Sequence, residues 1–378
     1  MIAASNADLT VFAVVVLARL LIPLLVFRFP LPAIVAALVI DAADQTIFQQ
    51  LTDLDLTSYQ GYDKALDIYY LAIAYISTFR NWHHPAALTV ATFLWYYRLV
   101  GVMLFELTEW RPLLLIFPNT FEYFFIFFEI VRLKWNTSRL DTRHVVGAAA
   151  AIWVFVKLPQ EWWIHIAQLD FTDFMKEDLL GVDGTDSWST AFANRPGVTA
   201  LIAAIVIGAT AFVVWWWRRL PPGDHPFTFD ANEVWPPDHT QPAPARWTDG
   251  LVEKVVLLLL VLVIFSEGIP ALTASIPQII GAVIVVVTAN AAISQALHQT
   301  RFGRAWQTPA LAFVATLIVN AGIWAVVQAI VPTDDEGASR WGTAFFLLLT
   351  SLIIALFDRY HPRRRPAGLH REFAPSQR

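Results

Sequence analysis

The sequence predicts an all-α integral membrane protein of about eleven transmembrane helices, with its N-terminus outside and its C-terminus cytoplasmic. Three observations carry that expectation. Of 378 residues, 57% are hydrophobic and 15% charged, against about 25% charged in soluble domains, and mean hydropathy is +0.53. Apolar runs near the roughly 20-residue length that crosses a bilayer recur along the chain. Lys and Arg gather in every second connector, the pattern that cytoplasmic loops follow.

The opening MIAASNADLT has no Lys or Arg. A cleavable signal would start basic, so the first run is expected to stay as a membrane helix. Apolar runs place helices near 9–27, 30–48, 63–80, 87–107, 112–132, 145–163, 197–217, 251–268, 277–295, 308–330 and 341–358. The FRFPLP connection is short, so residues 30–48 fit either a full span or a re-entrant segment. The basic connectors hold Arg28, then Arg80, then Arg132, Lys134, Arg139 and Arg143, then Arg218 and Arg219, then Arg301 and Arg304, and finally the tail HPRRRP. Between them lie Asp53 and Asp55, Glu109 beside Arg111, Asp170 to Asp186, SEGIPALTAS, and Asp334, Asp335 and Glu336. Eleven helices let the two sets alternate without a break, and dropping one puts basic loops on both sides.

The chain also divides. Residues 1–217 form a seven-helix module with ionisable groups inside its apolar runs. Residues 218–250 read as a Pro-rich cytoplasmic linker. Residues 251–358 form a four-helix apolar module, and 359–378 a basic tail suited to anionic lipid. No internal repeat is visible, which counts against a transporter built from repeats. In the long outer segment, Trp162, Trp163, Ile164, Ile166 and Leu169 could form one apolar face. Paired Trp suits the headgroup region, so an interfacial helix is expected there, with a simple cap on the bundle as the plainer alternative.

The charged residues inside the apolar runs raise the functional question. Asp41 and Asp44 share a face at i, i+3, and Asp63 and Asp67 at i, i+4. Asp41 falls past the middle of its helix and Asp44 nearer the outer end, Asp63 and Asp67 fall at the outer end of theirs, and the four form an acidic hairpin. Glu106 lies near the outer end of the fourth helix, and Arg98 near its middle. Asn119 and Glu122 lie mid-membrane in the fifth, with Glu129 seven residues on, and Arg19 lies near the middle of the first. A lone charge at mid-bilayer costs roughly 2.5–3.5 kcal/mol. Arg19 and Arg98 are therefore expected to pair with Asp41 and Glu122, with Arg98 at the centre of the cavity. Such pairs can merely fix helix register. They can also line a polar cavity open to the outside through Asp41, Asp44, Asp63, Asp67, Arg98, Glu106, Asn119 and Glu122.

Pro118 opens the helix beside Glu122, which serves either packing or a cation. Lys157 and Glu161 read as an i, i+4 helix pair. Asn290 and Asn320 read as interhelical hydrogen-bonding groups. His83 and His84 are assigned to the interface. With no HExxH or comparable spacing, no metal site and no cofactor are expected.

The absence of Cys excludes disulfides and thiol nucleophiles. No Walker lysine, Rossmann fingerprint or nucleophile elbow is present, and no nucleic-acid partner is expected. Three classes of function survive. The first is translocation of a cation, proton or small polar solute through an outward-facing acidic cavity. The second is a membrane-embedded transferase or hydrolase acting on a lipid-linked substrate at the outer leaflet. The third is a non-catalytic assembly subunit. Transport leads, because it needs only the ionisable groups seen. The expected setting is the lipid bilayer of a bacterial-type plasma membrane.

Overall fold

The computed structural model describes residues 5–52, 59–169, 171–233, 250–268, 276–298, 309–330 and 340–361, and every regular element among them is helical. Asp53, Asp55, Asp170, the SEGIPALTAS connector from residue 269, Arg301, Arg304, Asp334, Asp335 and Glu336 lie outside the described residues. So do residues 234–249 of the expected linker and the tail beyond His361. Among the described residues, five helical stretches are long and apolar enough to cross a membrane: Asn6–Phe27, Pro30–Leu51, Pro85–Thr108, Pro112–Arg132 and Pro196–Arg219. They are compatible with a membrane protein.

Local chemistry sets the first elements. Helix α1 (Asn6–Leu21) opens on a capping box. Ser5 Oγ accepts from the Asp8 amide at 3.1 Å, and the Asp8 carboxylate accepts from the Ser5 amide at 2.9 Å. It tightens into a 3-10 turn over Ile22–Phe27, with Pro23 at its start. Helix α2 (Pro30–Leu51) begins on Pro30, whose missing N–H costs nothing at a first helical position. Its 22 residues span about 33 Å at 1.5 Å each, the full thickness of a bilayer core. That length is enough for a full span.

Helix α3 (Tyr59–Asn81) is the axis of the bundle. Leu66, Tyr69, Tyr70, Ile73, Tyr75 and Ile76 lie on different faces of it, yet all are buried. Burial on every side follows from its neighbours. Helix α4 (Pro85–Thr108), α12 (Leu251–Gly268), α15 (Arg340–Tyr360), α2 and the Ile22–Phe27 turn all pack on it. The N-terminal and C-terminal portions of the chain therefore share one core. They divide along the sequence and not in packing.

The sequence expects one helix over 112–132. The structure splits it into α5 (Pro112–Ile116) and α6 (Thr120–Arg132). Pro118 lacks an N–H and disfavours helical geometry at Phe117, which sits at φ −111°, ψ 65°. The next run is longer than expected. Helix α7 (Thr142–Ala151) continues through a π turn over Ile152–Lys157, α8 (Leu158–Glu161) and a second π turn over Trp162–Ile166. Trp162, Ile164 and Ile166 are exposed at the end of this run and Leu169 just past it, so the expected interfacial residues continue the α7–α8 run. Gln168, at φ 52°, turns the chain into α9 (Phe171–Asp173) and a π turn over Phe174–Leu179. Helix α10 (Trp188–Asn194) is capped by Ser187, and α11 (Pro196–Arg219) buries none of its side chains. Helices α13 (Ile276–His298) and α14 (Pro309–Ile330) complete the bundle. Asn290 donates to Asn320 at 2.8 Å, and Asn320 to Ser351 at 2.9 Å, which ties α13, α14 and α15 together.

The described basic connectors meet at one end. Arg80 donates to the Phe27 carbonyl and to Asn232, and Arg132 to the Asn81 carbonyl. Arg28 pairs with Asp230 at 2.9 Å, and Arg139 with Asp224 at 3.3 Å. His84 caps α4 by accepting from the Ala87 amide at 3.1 Å, and lies 3.0 Å from the Leu140 carbonyl. The start of the expected linker, residues 224–232, thus lies across this basic end. Asp230 is held below its ordinary carboxylate range, against its own partial desolvation, by the Asn232 amide and by Arg28.

Candidate functional site

At the opposite end, the acidic residues converge on one cation. Arg19 leaves the last turn of α1. Its Nη1 donates to Asp44 and Asp63, and its Nη2 to Asp41 and Asp67. The planar guanidinium, with five donors in a fork, suits this four-way contact. Asp41 and Asp44 come from one face of α2, Asp63 and Asp67 from one face of α3. Arg19 and Asp44 are buried, with 3% of each side chain exposed, while Asp41, Asp63 and Asp67 keep 26%, 38% and 39%. Oxygens of those three carboxylates lie within 4.8 Å of one another. The cluster is thus a mouth with a buried floor and an open acidic rim. Carboxyl groups outnumber cations four to one, so its field favours positive charge. Asp41, Asp63 and Asp67 are also the residues that could hold a hard cation, which takes oxygen ligands.

One turn deeper on α3, Tyr70 donates its hydroxyl to Glu122. Glu122 also accepts from Asn119 Nδ2 at 3.0 Å. The charges of Asp41, Asp67 and Glu122 all act on Tyr70, which makes it the link between the mouth and the helix break. Tyr69 donates to the Leu20 carbonyl at 2.8 Å and fixes α3 against α1 beside Arg19.

The helix break is clasped from the α7–α8 run. Glu161 Oε1 accepts from the Asn119 amide at 3.0 Å and lies 3.4 Å from Lys157 Nζ. Its other oxygen faces His165 Nε2 at 3.0 Å. Lys157 and Glu161 are both buried, and Lys157 sits 4.6 Å above the Tyr123 ring. The two π turns bracket this pair, as such turns often do at functional positions. Arg98 donates to the Phe117 carbonyl, freed by the break, at 3.0 Å. Its charge acts on Glu122, Lys157 and Glu161.

The predicted residues therefore fall into two groups. Asp41, Asp44, Asp63 and Asp67 meet at Arg19. Asn119 and Glu122 meet below it, with Arg98 alongside. The centre of the mouth is Arg19 and not Arg98, and Arg98 donates to a backbone carbonyl. Glu106 stands apart, 3.1 Å from Lys64 on the outer flank of α3 and α4. Tyr70, Lys64 and His165 carry no sequence signal of their own. The spacing of Lys157, Glu161 and His165 at i, i+4, i+8 marks one helix face, but nothing in it says that the face turns inward.

Below Glu122 the α6 surroundings are aromatic. Phe121, Phe124, Phe125, Phe128 and Trp95 are fully buried and fill the space around α6. Glu129 lies two turns on, about 10 Å by helical rise. It accepts from Trp82 Nε1 at 2.6 Å and lies 3.1 Å from Arg132. Comparisons of the chain with protein-family models, with curated proteins and with solved structures give no match.

Proposed function

We propose that the protein translocates a proton or small cation, taking it up at the Asp41, Asp63 and Asp67 rim and passing it inward by Tyr70 and Glu122. The observation that carries this reading is one buried arginine beneath four aspartates, three of them open. An ion pair that only fixed helix register would need one carboxylate per cation and no open rim. The mouth faces outward and the basic end lies in the cytoplasm, as positive charge dictates. Eleven spans then place the N-terminus outside and the C-terminus inside a bacterial-type plasma membrane. A reporter fused after Arg378 is expected to be cytoplasmic and one inserted near Gly184 external. Finding both on one side would remove the outward mouth.

Reconstitution in liposomes tests the transport itself. Vesicles carrying the protein should move protons or monovalent cations down a gradient, read by an internal pH or cation dye. Asp67→Asn should cut the rate at least tenfold. The aromatic plug below Glu122 favours a second reading, in which the mouth is a blind outer site for a lipid-linked substrate. Trp162, Ile166 and Phe171, exposed at the outer end, would then lie against the lipid. Absence of flux from folded wild-type protein would favour that reading or an assembly role, and flux unchanged in Asp67→Asn would take the path away from the rim.

A further inference from the structure

A second set of titratable groups lies beyond the aromatic plug, where the last helices meet α3. Tyr75 is five residues past Tyr70 on α3, about 7.5 Å along the helix, and donates its hydroxyl to Glu253 of α12. The other Glu253 oxygen lies 3.2 Å from Nε2 of His361, which follows α15. The imidazole stacks on Phe357 at 4.7 Å and meets Phe79 edge-on at 5.3 Å. Gly250 closes the other side at φ +75°, where a Cβ would collide with the ring, so both the turn and the space require glycine. Tyr75 is fully buried, while 19% of the Glu253 side chain and 13% of the His361 side chain reach the surface.

The inner series stands close to the outer one. Tyr75 stacks on Trp95 at 5.7 Å and meets Phe121 edge-on at 6.2 Å, and Phe121 adjoins Glu122 in the chain. Two tyrosines of one helix thus present hydroxyls to two carboxyl groups of different helices, with Trp95 and Phe121 between them. Glu253 lies in the apolar four-helix portion and His361 in the basic tail, neither of which the sequence marks as part of a path.

We infer that Glu253 and His361 form an inner proton-transfer station, held by Tyr75, and that the translocated species is the proton. This rests on the translocation reading above. A proton on the Glu253 carboxyl passes to His361 Nε2, leaving a carboxylate and an imidazolium, and a turn of the imidazolium that brings a ring nitrogen to the surface releases a proton to solvent at the basic end. The neighbours leave this exchange open. Lys254 pairs with Asp358 at 2.7 Å, so the adjacent cation and carboxylate neutralise each other. Tyr96 of α4 donates to the Glu253 backbone carbonyl at 3.4 Å, and Thr92 lies 3.4 Å from the Tyr75 hydroxyl. Arg359 lies over the Tyr360 ring. His361 Nδ1 is buried and has no hydrogen-bond partner among the described residues, so no structural bond commits that side of the ring. A metal cation is a poor fit, because it takes about six or more oxygen ligands and both Glu253 oxygens are already engaged.

The test uses full-length protein in liposomes containing a pH-sensitive dye, with an acid jump outside. Glu253→Gln and His361→Ala should each lower proton entry at least tenfold, as Asp67→Asn does. Imidazole placed inside the vesicles should restore entry in His361→Ala but not in Asp67→Asn. A structural role would not give that rescue. Should Glu253→Gln fail to fold, as judged by gel filtration, His361→Ala with and without imidazole decides. If Asp67→Asn blocks entry while both inner variants conduct as wild type, the station is overturned and the outer path stands. Loss in His361→Ala of a folded protein that imidazole does not rescue overturns it equally. If wild-type vesicles admit no protons, the translocation reading falls and the station with it.

Discussion

Arg19→Ala is expected to destabilise the protein by about 3–5 kcal/mol, the usual cost of stranding a buried charge. The reason is Asp44, as buried as Arg19 itself and left without its cation. Asp41, Asp63 and Asp67 are partly open, so water can take over their share. Arg19→Met combined with Asp44→Leu should therefore recover most of the lost stability but no transport. Arg98→Ala should cost less, about 1 kcal/mol, the worth of a typical hydrogen bond. It loses one bond, to the Phe117 carbonyl. Thermal unfolding in detergent orders the three variants. An Arg98→Ala loss equal to or above that of Arg19→Ala would show that the centre of the site is misplaced.

Glu161→Ala should have a similarly large effect, again about 3–5 kcal/mol. It strands Lys157, of which 4% of the side chain is exposed. It also leaves the Asn119 amide at the helix break without its acceptor. Lys157→Met with Glu161→Gln should regain most of that loss, since Gln still offers an oxygen to the amide and no buried cation remains. Unfolding of each variant by heat or denaturant, read by circular dichroism, decides. An unchanged midpoint in Glu161→Ala would mean that the α7–α8 run does not clasp the break.

Much of the site is written into spacing. Asp41 with Asp44, and Asp63 with Asp67, share faces by helical periodicity alone, and a charge in an apolar run must find a partner. Which partner is a different matter. Arg19 and Arg98 look alike in sequence, each a single cation in a long apolar helix. The packing of α1 against α2 and α3 brings one under four aspartates, and the Pro118 break presents the other with a free carbonyl. Lys157 and Glu161 match a surface helix pair by spacing, and only the docking of α8 against α5 buries them.

The sequence by itself determined that this is a helical membrane protein, where its apolar helices lie, and that acids and bases collect in alternate connectors. Those properties follow from local composition and period, which each segment carries within itself. Tertiary structure alone decided that α3 is the shared axis, that Arg19 is the hub, and that Glu253 and His361 meet Tyr75. These depend on contacts between residues 22 to 178 positions apart, and an apolar helix offers every neighbour much the same surface until packing selects one.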